Sequence, residues 1–510
     1  MSGAILGHTD LTTDVDWTCD VCIVGSGAGG AVLAAGLAAK GLDVIVVEEG
    51  HHFTRKDFTL QESDALPAMY QERATRASAD VAITVLQGRS VGGSTTVNWT
   101  TCFRTPQRIL DHWAKVHGIE GLDLDPHFDA VEARLNIQEW PAAAANANNR
   151  VISDGCGKLG WEWKSLKRNV RGCANSGYCS VGCPVDGKQA MGITYLQDAV
   201  AAGARVLSNV RVERFEVEGK RVVAVRGRVM TPAAAEPDGA QIVIRPKVAV
   251  NSGGALNGPA LLLRSGLDAG GLVGRRTFIH PVVATLARYE AAVNPFWGAP
   301  QSIGSHQFFD RGDDKVGYFL EAAPLLPMLT AVAFPMFGAE LNQAMGELPH
   351  LNALLALSVD GLLPEDDGGT VTLRADGRPS LDYPIRPFLK ESFRHGTESM
   401  LKIQLASGCA EATTAHVSPL RVKSLDELSK LDEREYGAHR HAIFTAHQMG
   451  GCAMGKDPSK SVVDLEHRFR GVDNLFVVDG SVLPTSLGVN PSETIYGLAH
   501  RAVELVAAAV

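Results

Sequence analysis

The stretch that decides the fold is Cys19–Gly50, which reads CDVCIVGSGAGGAVLAAGLAAKGLDVIVVEEG. A short apolar run, Val21–Val24, precedes a glycine-rich turn, and a segment of small residues, Ala31–Lys40, follows it. A second apolar run, Asp43–Val47, closes the unit. Short apolar runs bounded by turns predict buried strands, whereas the longer small-residue segment predicts a helix. The order strand, turn, helix, strand predicts an α/β protein with a parallel sheet.

The turn inside this unit has a pattern typical of dinucleotide binding. Gly25, Gly27 and Gly30 form the sequence G-x-G-x-x-G. Glycines permit a tight turn and a close approach of the backbone, so that a pyrophosphate can bind at the N-terminus of the helix. Glu48, at the end of the second strand, can accept hydrogen bonds from ribose hydroxyls. The unit therefore predicts a dinucleotide site, and on this motif alone NAD and FAD are both open.

Composition excludes several classes of protein. The chain has 510 residues, of which 45% are hydrophobic and 21% charged, the proportions of a soluble globular protein. The net charge of −9 is spread along the chain, so nothing indicates a basic surface for nucleic acid or anionic lipid. We therefore expect no nucleic-acid partner.

The sequence also carries signals about location. The first twenty residues have no basic start, no long apolar core and no cleavage site, so they do not resemble a secretory signal. Nine cysteines are too few for a disulfide scaffold in a chain of this length. The longest uncharged apolar stretch, Ala322–Ala339, contains three prolines, which disfavour a spanning helix. We expect a cytoplasmic protein without a transmembrane segment.

Two further regions have a recognisable character. Between Val210 and Val250, three β-rich runs separated by polar or Pro/Gly breaks predict a small meander. The segment Leu320–Leu355 is apolar and could line a pocket, form a lid or simply be core. If it lines the site, a hydrophobic or aromatic ligand is favoured over a free sugar, whose hydroxyls need many polar partners.

Three motifs outside the first unit carry a family resemblance. They are GRSVGGSTTVNWTTCFRTP at Gly88–Pro106, GALNGPALLLRSGL at Gly254–Leu267, and a C-terminal region with HQMGGCAMG and NLFVVDGSVLPTSLGVNPSETIYGLAHRAVELV. Together with the first unit, and in the same order, they resemble the glucose–methanol–choline (GMC) family of FAD-dependent oxidoreductases. Two residues depart from the family pattern. Cys102 stands where the family has an aromatic residue or alanine, and Gly258 stands where it has Ser or Thr. The HPVV at residues 280–283 and the C-terminal motifs look most like the long-chain alcohol oxidase branch.

The resemblance implies FAD as cofactor and a set of residues that bind it. No histidine stands at the loop position that some members use to attach the flavin, so the FAD is expected to be non-covalent. The residues implied in FAD binding are Gly25, Gly27, Gly30, Glu48, Arg89, Gly92, Gly93, Ser94, Asn98, Val212, Asp479, Gly480, Asn490 and Pro491.

The resemblance also implies a catalytic pair, His447 and Asn490, in front of the flavin N5. An alcohol O–H is too weakly acidic to ionise alone, so hydride transfer to the flavin must be coupled to removal of the hydroxyl proton. A neutral histidine suits that base role at neutral pH, and the asparagine amide can orient the alcohol oxygen. The implied reaction converts a small-molecule alcohol, primary and apolar or aromatic, to its aldehyde, with oxygen or another electron acceptor. His280, before Pro281, is predicted to be structural.

The resemblance further implies the domain organisation. A discontinuous Rossmann-like FAD-binding domain is expected over residues 18–110, 185–278 and 446–510. A substrate-binding domain with a mainly antiparallel sheet and helices is expected over residues 111–184 and 279–445.

Alternatives to an alcohol oxidase also depend on particular residues. Cys173, Cys179 and Cys183, spaced C-x5-C-x3-C, could ligate an iron–sulfur cluster, which would make the enzyme an FAD alcohol dehydrogenase with a non-oxygen acceptor. Because most clusters take four cysteines, a structural role without metal is favoured. An NAD-dependent dehydrogenase has no use for the GRSVGGS loop, and a non-catalytic FAD-binding protein has no reason to combine His447 with Asn490.

Overall fold

The computed structural model describes residues 3–231 and 237–510. In chain order the strands of the N-terminal half are β1 Ala4–Leu6, β2 Val15–Val24, β3 Val44–Val47, β4 Thr84–Val85, β5 Thr101–Cys102, β6 Ile137–Glu139, β7 Lys164–Ser165, β8 Lys167–Asn169, β9 Arg205–Leu207, β10 Val210–Glu218, β11 Arg221–Val229 and β12 Gln241–Asn251. Those of the C-terminal half are β13 Arg275–Phe278, β14 Val282–Arg288, β15 Ile303–Ser305, β16 Tyr318–Ala323, β17 Leu351–Ser358, β18 Gly369–Leu373, β19 Pro379–Asp382, β20 Glu411–Thr414, β21 Arg421–Val422, β22 Phe444–Thr445, β23 Met449–Gly450 and β24 Leu475–Val477.

The α-helices alternate with these strands and, in the described residues, fall in both halves of the chain. They are α1 Ala28–Ala39, α2 Glu62–Met69, α3 Gln107–His117, α4 Asp125–Leu135, α5 Ala147–Leu159, α6 Tyr195–Ala201, α7 Gly254–Arg264, α8 Pro327–Ala333, α9 Gly338–Gly346, α10 Pro387–Ser407 and α11 Ser492–Ala507. Among the described residues, no helix combines the length and the apolar character needed to cross a membrane.

The first large sheet has the order β1-β9-β3-β2-β12-β11-β10, and β24 also pairs with β12. Its β1, β9, β3, β2, β12 and β24 pairings are parallel, whereas β10, β11 and β12 form the predicted antiparallel meander. The apolar run of β3 is fully buried because helices such as α1 cover the sheet. The predicted α/β fold class is confirmed.

The glycine turn joins β2 to α1 where the sequence predicted it, although both elements are longer than predicted. The strand starts at Val15 and the helix at Ala28. Gly25 has a φ of +101°, a conformation that favours glycine. A Cβ on Gly30 would lie 2.0 Å from the carbonyl oxygen of Gly25, so only glycine allows the helix to pack this closely on the turn.

The second large sheet has the order β21-β20-β14-β17-β16-β15-β7 and is antiparallel along that path. Helices α5 and α10 pack on it. All residues of β16 and β17 are buried, which is why their sequences are apolar rather than alternating. The predicted antiparallel sheet with helices is thus confirmed.

The two large sheets are linked by smaller ones. The four-stranded sheet β19-β18-β13-β23 combines strands from both predicted domains, and β1 joins the first sheet although it precedes residue 18. The domain boundaries given above stay a prediction.

Candidate active site

A cavity of about 310 Å³ lies where the glycine turn, the loop after Gly88 and the C-terminal loops meet strands of the second sheet. Most of the site residues predicted from the sequence line it. These are Gly25, Gly27, Glu48, Gly93, Ser94, Asn98, Val212, His447, Asp479, Gly480, Asn490 and Pro491.

The cavity wall at the glycine turn is formed by backbone atoms and not by side chains. Gly27 and Gly93 lie so close that a Cβ on Gly93 would be 2.8 Å from the Cα of Gly27. The first residues of α1, Ala28 and Gly29, also line the cavity. The unpaired N–H groups at the N-terminus of this 12-residue helix are therefore near the open space, as an anionic phosphate requires.

Glu48 lies beside this turn and is buried. One carboxylate oxygen accepts hydrogen bonds from the backbone N–H and the hydroxyl of Ser26, at 3.0 and 2.7 Å. The other accepts from the Gly50 N–H at 2.8 Å. Burial raises the pKa of Glu48, and these donors oppose the rise. The carboxylate is thus held rigidly at the wall, with lone pairs left for a ribose hydroxyl.

Three predicted residues do not line the cavity. Gly30 is required for packing, as described above. Gly92 has a φ of +95°, and its N–H donates to the Ser26 hydroxyl at 3.0 Å. The Arg89 guanidinium lies 3.9 Å from the Glu49 carboxylate, next to the wall rather than on it. These residues pack next to the residues of the cavity wall, and their role in FAD binding stays a prediction.

His447 and Asn490 meet at the cavity wall. The Nε2 of His447 lies 3.3 Å from the Asn490 amide nitrogen, and the backbone N–H of His447 donates to the Thr445 hydroxyl at 3.1 Å. Burial lowers the pKa of His447 to about 4, so this imidazole is neutral at neutral pH. The arrangement offers a ring nitrogen and an amide to the same small region of the cavity.

His280 lies directly behind His447, which the prediction of a purely structural role did not foresee. Its Nδ1 is 3.2 Å from the Nδ1 of His447, and the ring is fully buried. The contact was hidden in the sequence because 167 residues separate the two histidines.

A second group missed by the sequence reasoning lies on the other side of Asn490. Gln301 lines the cavity and donates from Nε2 to Glu321 at 2.5 Å, while its oxygen accepts from the Thr101 hydroxyl at 3.0 Å. Glu321 is also in hydrogen-bond contact with Asn490, and burial raises its pKa to about 8. No motif marks Gln301 or Glu321, since Gln301 precedes β15 and Glu321 lies in β16, and both reach the site only through the packing of the second sheet.

Part of the apolar segment at residues 320–355 reaches the cavity. Leu329 and Leu355 line it, together with Leu357 from the end of β17. Glu321 is opposite Leu355 in the β16–β17 register, so both side chains are on the sheet face that covers the site. Other residues of the segment, such as Leu320 and Leu354, belong to a separate core cluster. Some residues of the segment therefore line the cavity, and others belong to the core.

Cys173, Cys179 and Cys183 line a separate small cavity of about 10 Å³. Within the described residues, no group of three or more His, Cys, Asp or Glu side chains is arranged to hold a metal ion. The buried Lys188 ammonium connects this loop to the loop after Gly88, donating to the carbonyls of Thr96, Asn98 and Cys179 at 2.5, 3.1 and 2.7 Å.

The residues at the larger cavity fit a dinucleotide such as FAD. The glycine cradle and Glu48 suit the pyrophosphate and a ribose. Among the described residues, the buried Oδ1 of Asn98 has no hydrogen-bond partner although Asn98 lines the cavity, which is the signature of a site that a ligand completes. The Asp479 carboxylate accepts hydrogen bonds from the backbone N–H groups of Gly254 and Ser481, each at 2.7 Å, which fix its orientation.

Comparison with known proteins agrees with this fit. The family models described as GMC oxidoreductase match residues 29–282 and 364–499. An uncharacterised GMC-type oxidoreductase of Mycobacterium tuberculosis is 31% identical over 497 residues, which are 96% of this chain and 76% of that protein. A long-chain-alcohol oxidase of Arabidopsis thaliana is 30% identical over 516 residues, covering 94% of this chain and 66% of that protein.

Solved structures agree in fold. Pyridoxine 4-oxidase from Mesorbium loti superposes with a TM-score of 0.71 at 21% identity, covering 95% of this chain and 98% of that one. A formate oxidase variant from Aspergillus oryzae gives 0.70 at 15% identity, covering 97% and 99%. At these identities the likeness bears on the fold alone.

Proposed function

Because the chain belongs to the GMC oxidoreductase family of FAD-dependent enzymes that act on CH–OH groups, we propose that it oxidises an alcohol to its aldehyde. The preferred substrate is a primary alcohol with an apolar or aromatic body. The observation that carries the proposal is the placement of His447 Nε2 beside the Asn490 amide, 3.3 Å apart, at the cavity wall.

In this proposal the two side chains have different roles. His447 takes the hydroxyl proton at Nε2, because its lowered pKa keeps the ring neutral at neutral pH. Asn490 donates an N–H to the alcohol oxygen and orients it. FAD, when bound, supplies the two-electron acceptor for the hydride from the carbinol carbon. The residues proposed to hold it are those predicted above, and the FAD is proposed to be non-covalent.

The cavity wall supports an apolar substrate. Trp99, Val282, Leu355, Leu357 and Phe444 line it. Such a wall binds a hydrocarbon or aromatic group but leaves most hydroxyls of a sugar without partners, which costs free energy. The similarity to long-chain-alcohol oxidases supports the same substrate class.

The electron acceptor and the compartment complete the proposal. We propose oxygen as the acceptor, with a dehydrogenase that uses another acceptor as the alternative. The small volume of the cysteine cavity, about 10 Å³, and the contact of Lys188 with the Cys179 carbonyl favour the version without an iron–sulfur cluster. A cytoplasmic location stays a prediction from the sequence.

The test is anaerobic mixing of the purified yellow protein with a panel of aliphatic, aromatic and sugar alcohols. Apolar primary alcohols should bleach the flavin fastest, and the aldehyde should accumulate. Admission of oxygen, or of an artificial dye, then identifies the acceptor. If no alcohol bleaches the flavin although dithionite does, alcohol oxidation is not the activity.

A further inference from the structure

His280 is held in a conformation that needs support from its surroundings. Its φ is +43°, in the left-handed region that is costly for a residue with a Cβ. The Asp360 carboxylate accepts hydrogen bonds from the N–H groups of Ile279 and His280, at 2.9 and 3.0 Å. The Tyr383 hydroxyl in turn donates to Asp360 at 2.7 Å. The His280 ring is thus placed by a rigid buried network.

The hydrogen bonds of His280 determine which of its nitrogens carries the hydrogen. Its Nε2 accepts from the backbone N–H of Gly488 at 2.9 Å and from that of Leu487 at 3.2 Å. A ring nitrogen that accepts hydrogen bonds bears no hydrogen. Burial, with a smaller effect of His447, lowers the pKa of His280 well below its usual range, so the ring is neutral. Its single N–H is therefore at Nδ1.

This assignment fixes the state of the next ring. The Nδ1–H of His280 donates to the Nδ1 of His447, 3.2 Å away. His447 must then carry its own hydrogen on Nε2, which faces Asn490. A half-turn of the Asn490 amide presents its oxygen to that N–H. Within the described residues the Asn490 oxygen otherwise has no partner, although it is buried.

We propose that His280 is a positioning residue that holds His447 in the tautomer with hydrogen on Nε2. The inference rests on the proposed function and changes the tautomer of His447 from which the reaction starts. In the resting enzyme the Nε2–H of His447 donates to the Asn490 oxygen, and a bound alcohol would replace that oxygen as the acceptor, where such a donor is worth most as negative charge develops. It becomes a base at Nε2 only in the other tautomer.

The other tautomer has a definite structural cost. His447 would donate from Nδ1 to His280, and His280 would place a hydrogen on Nε2 against the N–H groups of Leu487 and Gly488. Those two residues are in the loop that leads to Asn490. The contacts of this loop with His280 therefore help to fix the tautomer of His447.

The direct test is ¹⁵N NMR of protein labelled at histidine, as the holoenzyme without alcohol. The resonances of His447 are assigned by their loss in His447→Gln. We expect the Nε2 of His447 to have the shift of a protonated nitrogen and its Nδ1 that of an unprotonated one. The reverse pattern overturns the inference.

Variants of His280 add a second measurement. His280→Leu removes the donor that fixes the tautomer of His447, so the Nε2 and Nδ1 shifts of His447 should move towards the average of the two tautomers, and the rate of flavin reduction should change with little change in KM. His280→Asn keeps an N–H that can reach His447 and tolerates a positive φ, so it should bring the His447 shifts and the rate part of the way back to those of the parent protein. His441→Asn is the matched control: this buried histidine also accepts a backbone N–H, from Gly437 at 3.1 Å, outside the cavity wall.

The outcomes separate the inference from the proposed function. Unchanged His447 shifts and rate in a folded His280→Leu overturn the inference. A protonated Nε2 in a protein whose flavin no alcohol reduces supports the inference and refutes the proposed function. If His280→Leu does not fold, the spectrum of the unaltered protein still decides the tautomer.

Discussion

The Nε2 of His447 lies 3.3 Å from the side-chain amide of Asn490, although 43 residues separate them in the chain. His447 comes just before β23, whereas Asn490 comes just before α11. Their contact places a neutral ring and an amide at one point of the cavity wall, with His280 behind one and Glu321 behind the other. The predictions below test the roles of these groups and of the cofactor site.

The purified protein should contain FAD that is bound tightly but not covalently. The cradle of Gly25 and Gly27, the start of α1 and Glu48 offers backbone N–H groups and a carboxylate, and these are non-covalent contacts. Acid precipitation should release the flavin into the supernatant. A pellet that stays yellow would contradict the non-covalent attachment.

His447→Ala should slow flavin reduction by the best alcohol by at least ~100-fold, the usual effect of losing a general base. Asn490→Ala should also slow reduction, since the alcohol oxygen loses a donor that orients it. Both variants should retain most of their FAD. Single-turnover absorbance at saturating alcohol measures the rate, with His441→Ala as a buried histidine control. Reduction of His447→Ala at the parent rate would show that the catalytic assignment is wrong.

Glu48→Ala should lower FAD occupancy and also reduce stability. The N–H groups of Ser26 and Gly50 lose their buried acceptor, which costs about 1–3 kcal/mol for each unsatisfied group. Glu48→Gln keeps one acceptor oxygen, so its FAD occupancy and stability should lie between those of the parent protein and Glu48→Ala. The flavin-to-protein absorbance ratio and urea unfolding of the apoprotein separate the two effects. Full occupancy in Glu48→Ala would remove Glu48 from the cofactor site.

The rate of flavin reduction should be nearly constant from about pH 5 to pH 7 and should fall around pH 8. Burial lowers the pKa of His447 to about 4, so the ring stays neutral over this range and protonates only below it. Burial raises the pKa of Glu321 to about 8, so this carboxyl is protonated at neutral pH and ionises above it. The new charge would attract the Asn490 amide N–H away from the alcohol and slow the reaction.

Glu321→Gln tests this alkaline effect, because glutamine keeps the shape of the side chain but cannot ionise. The fall in rate around pH 8 should be absent in the variant, while the plateau below about pH 7 is retained. Persistence of the same alkaline fall would show that another group causes it.

Protein purified anaerobically should contain no stoichiometric iron or acid-labile sulfide. The cavity shared by Cys173, Cys179 and Cys183 is small, and the buried Lys188 beside it is engaged by backbone carbonyls. Ferrozine and sulfide assays decide the point. About three or four iron atoms per chain would establish a cluster and favour the dehydrogenase alternative.

The features that the sequence predicts correctly are those that are local in the chain. The glycine turn between β2 and α1 follows from Gly25, whose φ of +101° favours glycine, and from Gly30, where a Cβ would lie 2.0 Å from the Gly25 carbonyl oxygen. The meander of β10, β11 and β12 follows from alternating apolar residues and breaks. Such features depend on neighbours within a few residues, so composition and spacing are enough to predict them.

Tertiary structure alone decided which residues surround the catalytic pair. Gln301 reaches the site from the turn before β15, Glu321 reaches it from β16, and His280 reaches it across 167 residues. Hydrogen bonds, tautomers and shifted pKa values arise from atoms that meet only after the two sheets pack together, and burial then strengthens each effect. The chemistry of His447 is therefore a property of the packed site, whereas its place in the HQMGG motif is a property of the chain.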